Sequence, residues 1–148
     1  MLIAGCEFPA DLWYHVEHQV WARVDEAAGE AVVGITSMGI RLAGEIYMCR
    51  PRTVGSGVEQ GRSVAVVELA KSIVSVKTPV SGTVLAVNEA LATRPERVHE
   101  DPYGAGWLAR LRLSAWPAEA AALLRGDDAA GAMQHMAWLN RLQGELGS

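Results

Sequence analysis

Lys71 and Lys77 are the two lysines of a chain that uses arginine at every other basic position. A lysine amine can be acylated by a dedicated enzyme, whereas a guanidinium keeps its charge and offers no comparable nucleophile. Lys71 sits between the small residues Ala70 and Ser72, and Glu68 lies three positions earlier. An amine in that setting stands clear of its neighbours. The plain alternative is a hydrated turn lysine with no further role. Other candidate groups fall away on context. His15-x-x-His18 would place two imidazoles together only on a helix, and no third ligand is near in sequence. His99, Glu100 and Asp101 imitate an acid–base cluster but lie in a turn-rich stretch, where Asp101 ahead of Pro102 suits bonds to backbone amides. Gly55-x-Gly57 lacks a P-loop lysine and precedes a strand, where a dinucleotide site requires a helix. No Gly-x-Ser-x-Gly elbow is present, and Cys6 and Cys49 form neither a redox pair nor a metal set.

The segment that must position Lys71 reads as strand, tight turn, strand. Residues 64–69 are apolar but for Glu68; Ile73, Val74 and Val76 form a second run; Pro79 and Gly82 break it. Lys71 therefore falls at a hairpin tip, and Lys77 faces solvent from the second strand. Upstream, residues 1–17 form a lead-in, a short helix or irregular segment packed by Leu12, Trp13 and Val16. Residues 18–24 alternate as a strand, 26–29 turn, and 31–36 return, giving a hairpin. Residues 37–42 suit a short helix capped by Ser37 and stopped at Gly44. A strand over 45–50 ends at Pro51, and the glycines of 53–61 serve tight turns. Downstream, 83–87 is a strand, 92–106 is turn-rich, and 107–113 is a half-buried closing strand. Pro117 opens a helix to residue 124 with Glu119 near its positive end. Asp127 or Asp128 caps a last helix whose Met133, Met136, Leu139, Leu142 and Leu146 form a stripe for docking on the body of the protein.

A chain of 148 residues suits a single domain. Its organisation is expected as a lead-in over 1–17, a core over 18–114 and a helical segment over 115–148. With 50% hydrophobic and 20% charged residues it has the profile of a soluble globular protein. The formal charge of −4, with arginines scattered among acids, argues against nucleic acid, and no apolar run is long enough to span a bilayer. The segment from Leu2 to Cys6 imitates a lipoprotein cleavage box, yet no charged or apolar leader precedes it. Two ordinary thiols and a monomeric cytoplasmic protein are the expectation.

Four blocks carry a resemblance. Glu68-Leu69-Ala70-Lys71, followed by Pro79-Val80-Ser81-Gly82, resembles the attachment hairpin of the glycine cleavage H-protein family, Glu-Ser-Val-Lys then Ser-Pro-Val-Ser-Gly at the same offset. Val33-Gly34-Ile35-Thr36, Val87-Asn88-Glu89 and the stretch from Asp101 to Leu108 resemble further family blocks in the same order, so the likeness runs from about 18 to 124. It implies a mainly β barrel-sandwich hybrid of lipoyl type, here with C-terminal helices, the last of them an extension. It also implies lipoate in amide linkage to Lys71, with Glu68 as a recognition acid for the lipoylating enzyme, and makes the protein a carrier with no catalysis of its own. Lys77 stands where the family commonly has tyrosine and is the alternative acylation point.

Two carrier readings follow from the resemblance. In glycine cleavage, the partners are the pyridoxal-phosphate decarboxylase, the aminomethyltransferase and dihydrolipoamide dehydrogenase. Lipoate-binding relatives serve instead a heterodisulfide-reductase-like complex of sulfur oxidation. The opening Phe8-Pro9, the pair Trp13-Tyr14 and Val20-Trp21-Ala22 look closer to that subgroup. So do the departures Ser37-Met38-Gly39-Ile40-Arg41, Arg50-Pro51-Arg52 (for Leu-Pro-Glu) and Ser72-Ile73-Val74 (for Ala-Ala-Ser). The expectation leans to the sulfur-oxidation carrier, with the glycine-cleavage carrier and a non-lipoylated interaction protein of the same fold kept beside it.

Overall fold

The computed structural model describes residues 1–142. Twelve strands appear in it: β1 (Leu2–Ile3), β2 (Cys6–Glu7), β3 (Trp13–His15), β4 (Val20–Asp25), β5 (Glu30–Ile35), β6 (Met48–Pro51), β7 (Gly57–Val58), β8 (Ser63–Glu68), β9 (Ile73–Lys77), β10 (Gly82–Val87), β11 (Ala109–Leu113) and β12 (Leu124–Arg125). The helices are α1 (Ser37–Ala43), α2 (Arg97–Glu100) and α3 (Ala130–Leu139). A seven-stranded sheet runs β12-β3-β4-β5-β11-β10-β7, a three-stranded sheet runs β6-β8-β9, and β1-β2 is a small hairpin, with antiparallel pairing throughout. The fold is mainly β, as the strand-and-turn rhythm predicts.

The main core lies between the two larger sheets. Val20, Ala22, Val33 and Leu111 meet Cys49, Val64, Val67 and Val76 from the smaller sheet. A second apolar cluster covers part of the opposite face, where Trp21, Tyr14 and Phe8 pack with Met38 and with Met133 of α3. Both faces of β4 are therefore covered at its start. That is why Val20, Trp21 and Ala22 are all buried and the expected alternation fails.

Several local expectations need correction. The first helix is capped by Thr36, whose Oγ1 accepts the Gly39 N–H at 2.9 Å, and not by Ser37; Gly44 ends it as expected. Ser37 instead donates to the Glu7 carbonyl at 2.9 Å. Residues 13–15 are a strand, because Trp13 and Tyr14 find partners in both β4 and β12. Strand β6 starts only at Met48 and includes Pro51, which still opposes Ala65 at the edge of its sheet. Gly55 and Gly61 take positive φ, whereas Gly57 belongs to β7. His99 and Glu100 sit on the short α2. After Pro117 the chain makes only a 3₁₀ turn over 118–122 and then enters β12, so no helix reaches residue 124. Neither Asp127 nor Asp128 caps α3; both lie in a 3₁₀ turn that leads into it. On α3, Met133 is buried and Met136 packs partly, but Leu139 is exposed; Leu142, past the end of the helix, packs partly, and Leu146 lies outside the described residues.

Glu119 explains the missing helix. Its carboxylate accepts the Ser81 N–H at 2.7 Å and the Ser81 hydroxyl at 2.6 Å, and its carbonyl accepts Gln60 Nε2 at 3.1 Å. Ser81 Oγ also accepts the Gln60 N–H at 2.8 Å. These bonds tie the loop after β9 to the C-terminal segment. Glu119→Gln keeps one acceptor oxygen for one Ser81 donor and sets its amide N–H against the other, and is expected to destabilise the fold by about 1–2 kcal/mol. Thermal unfolding should then shift down by about 2–8 °C, and an unchanged midpoint would remove Glu119 from the anchoring role.

Candidate functional site

Strands β8 and β9 are joined by residues 69–72, with the Leu69 N–H donating to the Ser72 carbonyl at 2.8 Å. Ala70 and Lys71 occupy the tip, and neither takes positive φ. Residues 70 to 74 are all exposed. Lys71 makes no hydrogen bond or ion pair with any described residue, so its amine is held out to solvent with no internal competitor. The base beneath it is firm. Val64, Val67 and Val76 point into the core while Glu68, Ile73 and Ser75 point outward, fixing which face each strand presents. Glu68, opposite Ile73 in the ladder, lies 4.0 Å from the Arg50 guanidinium, and its backbone carbonyl accepts the Tyr47 N–H at 2.8 Å. Lys77 faces Ser63 within the ladder, half-buried and far along the strand from the tip.

The Pro79-Val80-Ser81-Gly82 block returns the chain to the larger sheet. Pro79 and Val80 are buried, and Gly82 pairs with Leu113 on one side and Val58 on the other. A Cβ at Gly82 would overlap the Arg112 carbonyl oxygen, so only glycine permits this approach.

Beside the hairpin lies a cleft of about 220 Å³ between β9 and the start of β4. Val74, Val76, Val67, Ile35 and Leu42 give it apolar walls, and Glu17, His18 and Gln19 its polar rim. Gln19 is locked there. It donates to the Val16 carbonyl at 2.7 Å and to Met133 Sδ at 3.2 Å, and it accepts the Thr36 hydroxyl at 2.6 Å. No local sequence signal marks this cleft, since it depends on contacts between distant segments.

His15 and His18 do come together, with ring centroids 4.2 Å apart and planes nearly parallel. His15 Nδ1 accepts the His18 N–H at 3.3 Å. No third ligand joins them: among the described residues no group of three or more His, Cys, Asp or Glu is placed to hold a metal ion. Burial, and then the neighbouring His18, push the His15 pKa below its usual 6.5. The folded state thus binds the proton less readily than the unfolded chain. Its contribution is complete above pH 6.5 and is lost as pH falls from there through the lowered folded value. Urea unfolding at pH 7.5 and pH 5.5 should show stability falling on acidification, and His15→Asn should flatten that slope; an equal slope in both proteins would contradict it.

Cys49 is buried, and burial pushes its thiol up to about 12, which leaves it unreactive at neutral pH. Asp101 accepts the Ala105 N–H at 2.9 Å, and His99 Nε2 accepts the Ile46 N–H at 3.0 Å, so both side chains have structural work. The acid–base resemblance of that cluster ends there.

A barrel-sandwich with an unencumbered lysine on a protruding hairpin has the form of small lipoyl-type carrier domains. The family described as "Glycine cleavage H-protein" matches residues 12–136, and this chain belongs to it. Among relatives, "Glycine cleavage system H protein" of Aeromonas hydrophila is 48% identical over 105 residues, covering 71% of this chain and 80% of the relative. "Glycine cleavage system H protein 2" of Aquifex aeolicus is 38% identical over 125 residues, covering 84% and 77%. The crystal structure of a glycine cleavage system H protein from Mycobacterium marinum aligns with a TM-score of 0.74 at 30% identity, covering 84% of this chain and 98% of that one. These relatives carry glycine cleavage names, so they favour the glycine-cleavage carrier over the sulfur-oxidation one. Among the described residues no helix is long and apolar enough to cross a membrane.

Proposed function

We propose that this chain is a cytoplasmic lipoyl carrier, acylated on Lys71, that works as the H protein of a glycine cleavage system. The observation that carries the reading is the Lys71 amine, exposed and unpaired at the tip of the β8–β9 hairpin in a chain of this family. The site fits a tethered group: small neighbours leave the amine accessible, and the outward Glu68 gives the lipoylating enzyme a fixed anionic mark three residues away. Bound lipoate would supply a disulfide that opens on reduction and holds a group on sulfur. The protein's own share is to hold the attachment point, keep the hairpin from folding onto the body, and offer the adjacent apolar cleft as shelter. Its partners on this reading are the lipoylating enzyme, glycine decarboxylase, aminomethyltransferase and dihydrolipoamide dehydrogenase.

One observation keeps the second reading, a carrier for a heterodisulfide-reductase-like complex. Arg50, Ile73 and Val74, which depart from the glycine-cleavage pattern, are all exposed around Lys71, where a partner enzyme must meet the protein. The test is to offer lipoylated protein to the host's glycine decarboxylase with carbon-labelled glycine. Label retained on the protein is expected. Lipoylated protein that stays unlabelled would overturn the glycine-cleavage assignment in favour of the second reading.

A further inference from the structure

The outer face of the three-stranded sheet shows a charge pattern opposite to that of the whole chain. Ladder registers place Met48, Glu68 and Ile73 across the row nearest Lys71, then Arg50, Val66 and Ser75, then Ser63 and Lys77. Arg52 follows β6 on the same side, its N–H bonded to the Val64 carbonyl at 2.9 Å. Arg52 and Arg62 border a shallow depression of about 430 Å³ together with Glu59. This face thus gathers Arg50, Arg52, Arg62 and Lys77 against Glu59 and Glu68, in a chain whose net charge is −4. Among the described residues, Arg50 is the one cation of this set within 4.0 Å of a carboxylate. The others are left unneutralised although acids outnumber bases in the sequence. On the same face Ile73 is 68% exposed beside the attachment lysine.

A cationic band with an exposed apolar residue at its head suits a protein interface, where an apolar centre and a charged rim work together. A polyanion would need no apolar centre and would be repelled by the rest of this acidic chain. We propose that this face docks an acidic protein surface, the one bordering the reaction site of an enzyme that acts on the Lys71 arm. The proposal rests on the carrier reading and adds the chemistry of the partner. Charge complementarity of this kind acts mainly on the rate of encounter, bringing the tip and its arm to the partner's entrance in a fixed orientation.

The test uses lipoylated wild-type protein and lipoylated R52E/K77E, two positions remote from the tip. Intact mass first establishes that both carry the arm, and thermal melts that both are folded. The host's dihydrolipoamide dehydrogenase and glycine decarboxylase are then assayed between about 0.05 and 0.5 M salt, over which the screening length shrinks from about 14 to about 4 Å. For wild type, kcat/KM should fall about tenfold across that range, and for the variant it should start about tenfold lower and stay flat, with kcat unchanged. Equal kcat/KM and equal salt dependence with both enzymes would overturn the docking face alone. Absence of the arm from both proteins would sink the carrier reading and this inference with it. Binding of a DNA duplex or anionic vesicles by wild type and not by the variant would also overturn it, reassigning the face to a polyanion.

Discussion

Lys71→Arg is expected to keep the fold and abolish carriage altogether. The side chain is exposed and bonded to no described residue, so its replacement should change stability by no more than about 0.5 kcal/mol. The guanidinium keeps a positive charge of similar reach, yet it offers no amine to acylate. Co-expression with a lipoylating enzyme should therefore leave the variant's mass unchanged, and its label uptake from glycine should drop to background. Lys77→Arg is the control. Lys77 is half-buried in the ladder opposite Ser63, remote from the tip, and its variant should be modified and loaded as wild type. If Lys71→Arg still gained the lipoyl mass, the attachment point would lie elsewhere.

Trp21→Ala should have the largest effect on stability. Trp21 is fully buried in the second cluster, and its Nε1 donates to the Ile35 carbonyl at 3.1 Å and to the Pro102 carbonyl at 3.2 Å. Gly34 lies directly beneath the ring: a Cβ there would come within 2.5 Å of Cζ2. One indole thus accounts for the glycine of Val33-Gly34-Ile35-Thr36 and fastens the turn of Asp101-Pro102-Tyr103. Truncation opens a cavity and leaves the buried Ile35 carbonyl and the part-buried Pro102 carbonyl short of a donor, a loss of about 3–5 kcal/mol. The melting midpoint should fall by roughly 6–20 °C. Trp21→Phe, which keeps most of the ring volume, should lose less. Equal midpoints for the alanine and phenylalanine variants would mean that packing is not what the indole contributes.

The hairpin was legible because its signals are local and agree: two apolar runs, small residues between them, a lysine where the chain otherwise spends arginine, and a Pro-Gly break. Strands β5, β10 and β11 were legible for the same reason. What escaped was decided by distant contacts. The alanine-rich run 118–122 has high helix propensity, but Glu119 is drawn to Ser81 and the next residues join β3, so a single 3₁₀ turn remains. Thr36 outcompetes Ser37 as a cap because Gln19 orients its hydroxyl, while Tyr103 holds the Ser37 N–H at 3.0 Å. The cleft beside β9 and the basic outer face of its sheet arise from registers that no single stretch of sequence encodes. At the functional level, the resemblance marks Lys71 as the candidate attachment point, and the structure leaves it exposed at the hairpin tip. The partner has no such mark, because partner choice resides in exposed side chains such as Arg50, Arg52 and Ile73 that the fold does not constrain.

The most direct measurement is peptide mass analysis of the protein purified from its native host. A lipoyl increment on the peptide containing Lys71, with Lys77 unmodified, is the predicted result. An unmodified Lys71 in cells whose other lipoyl proteins are fully acylated, or an increment on Lys77 in its place, would contradict the claim that the hairpin tip carries the arm.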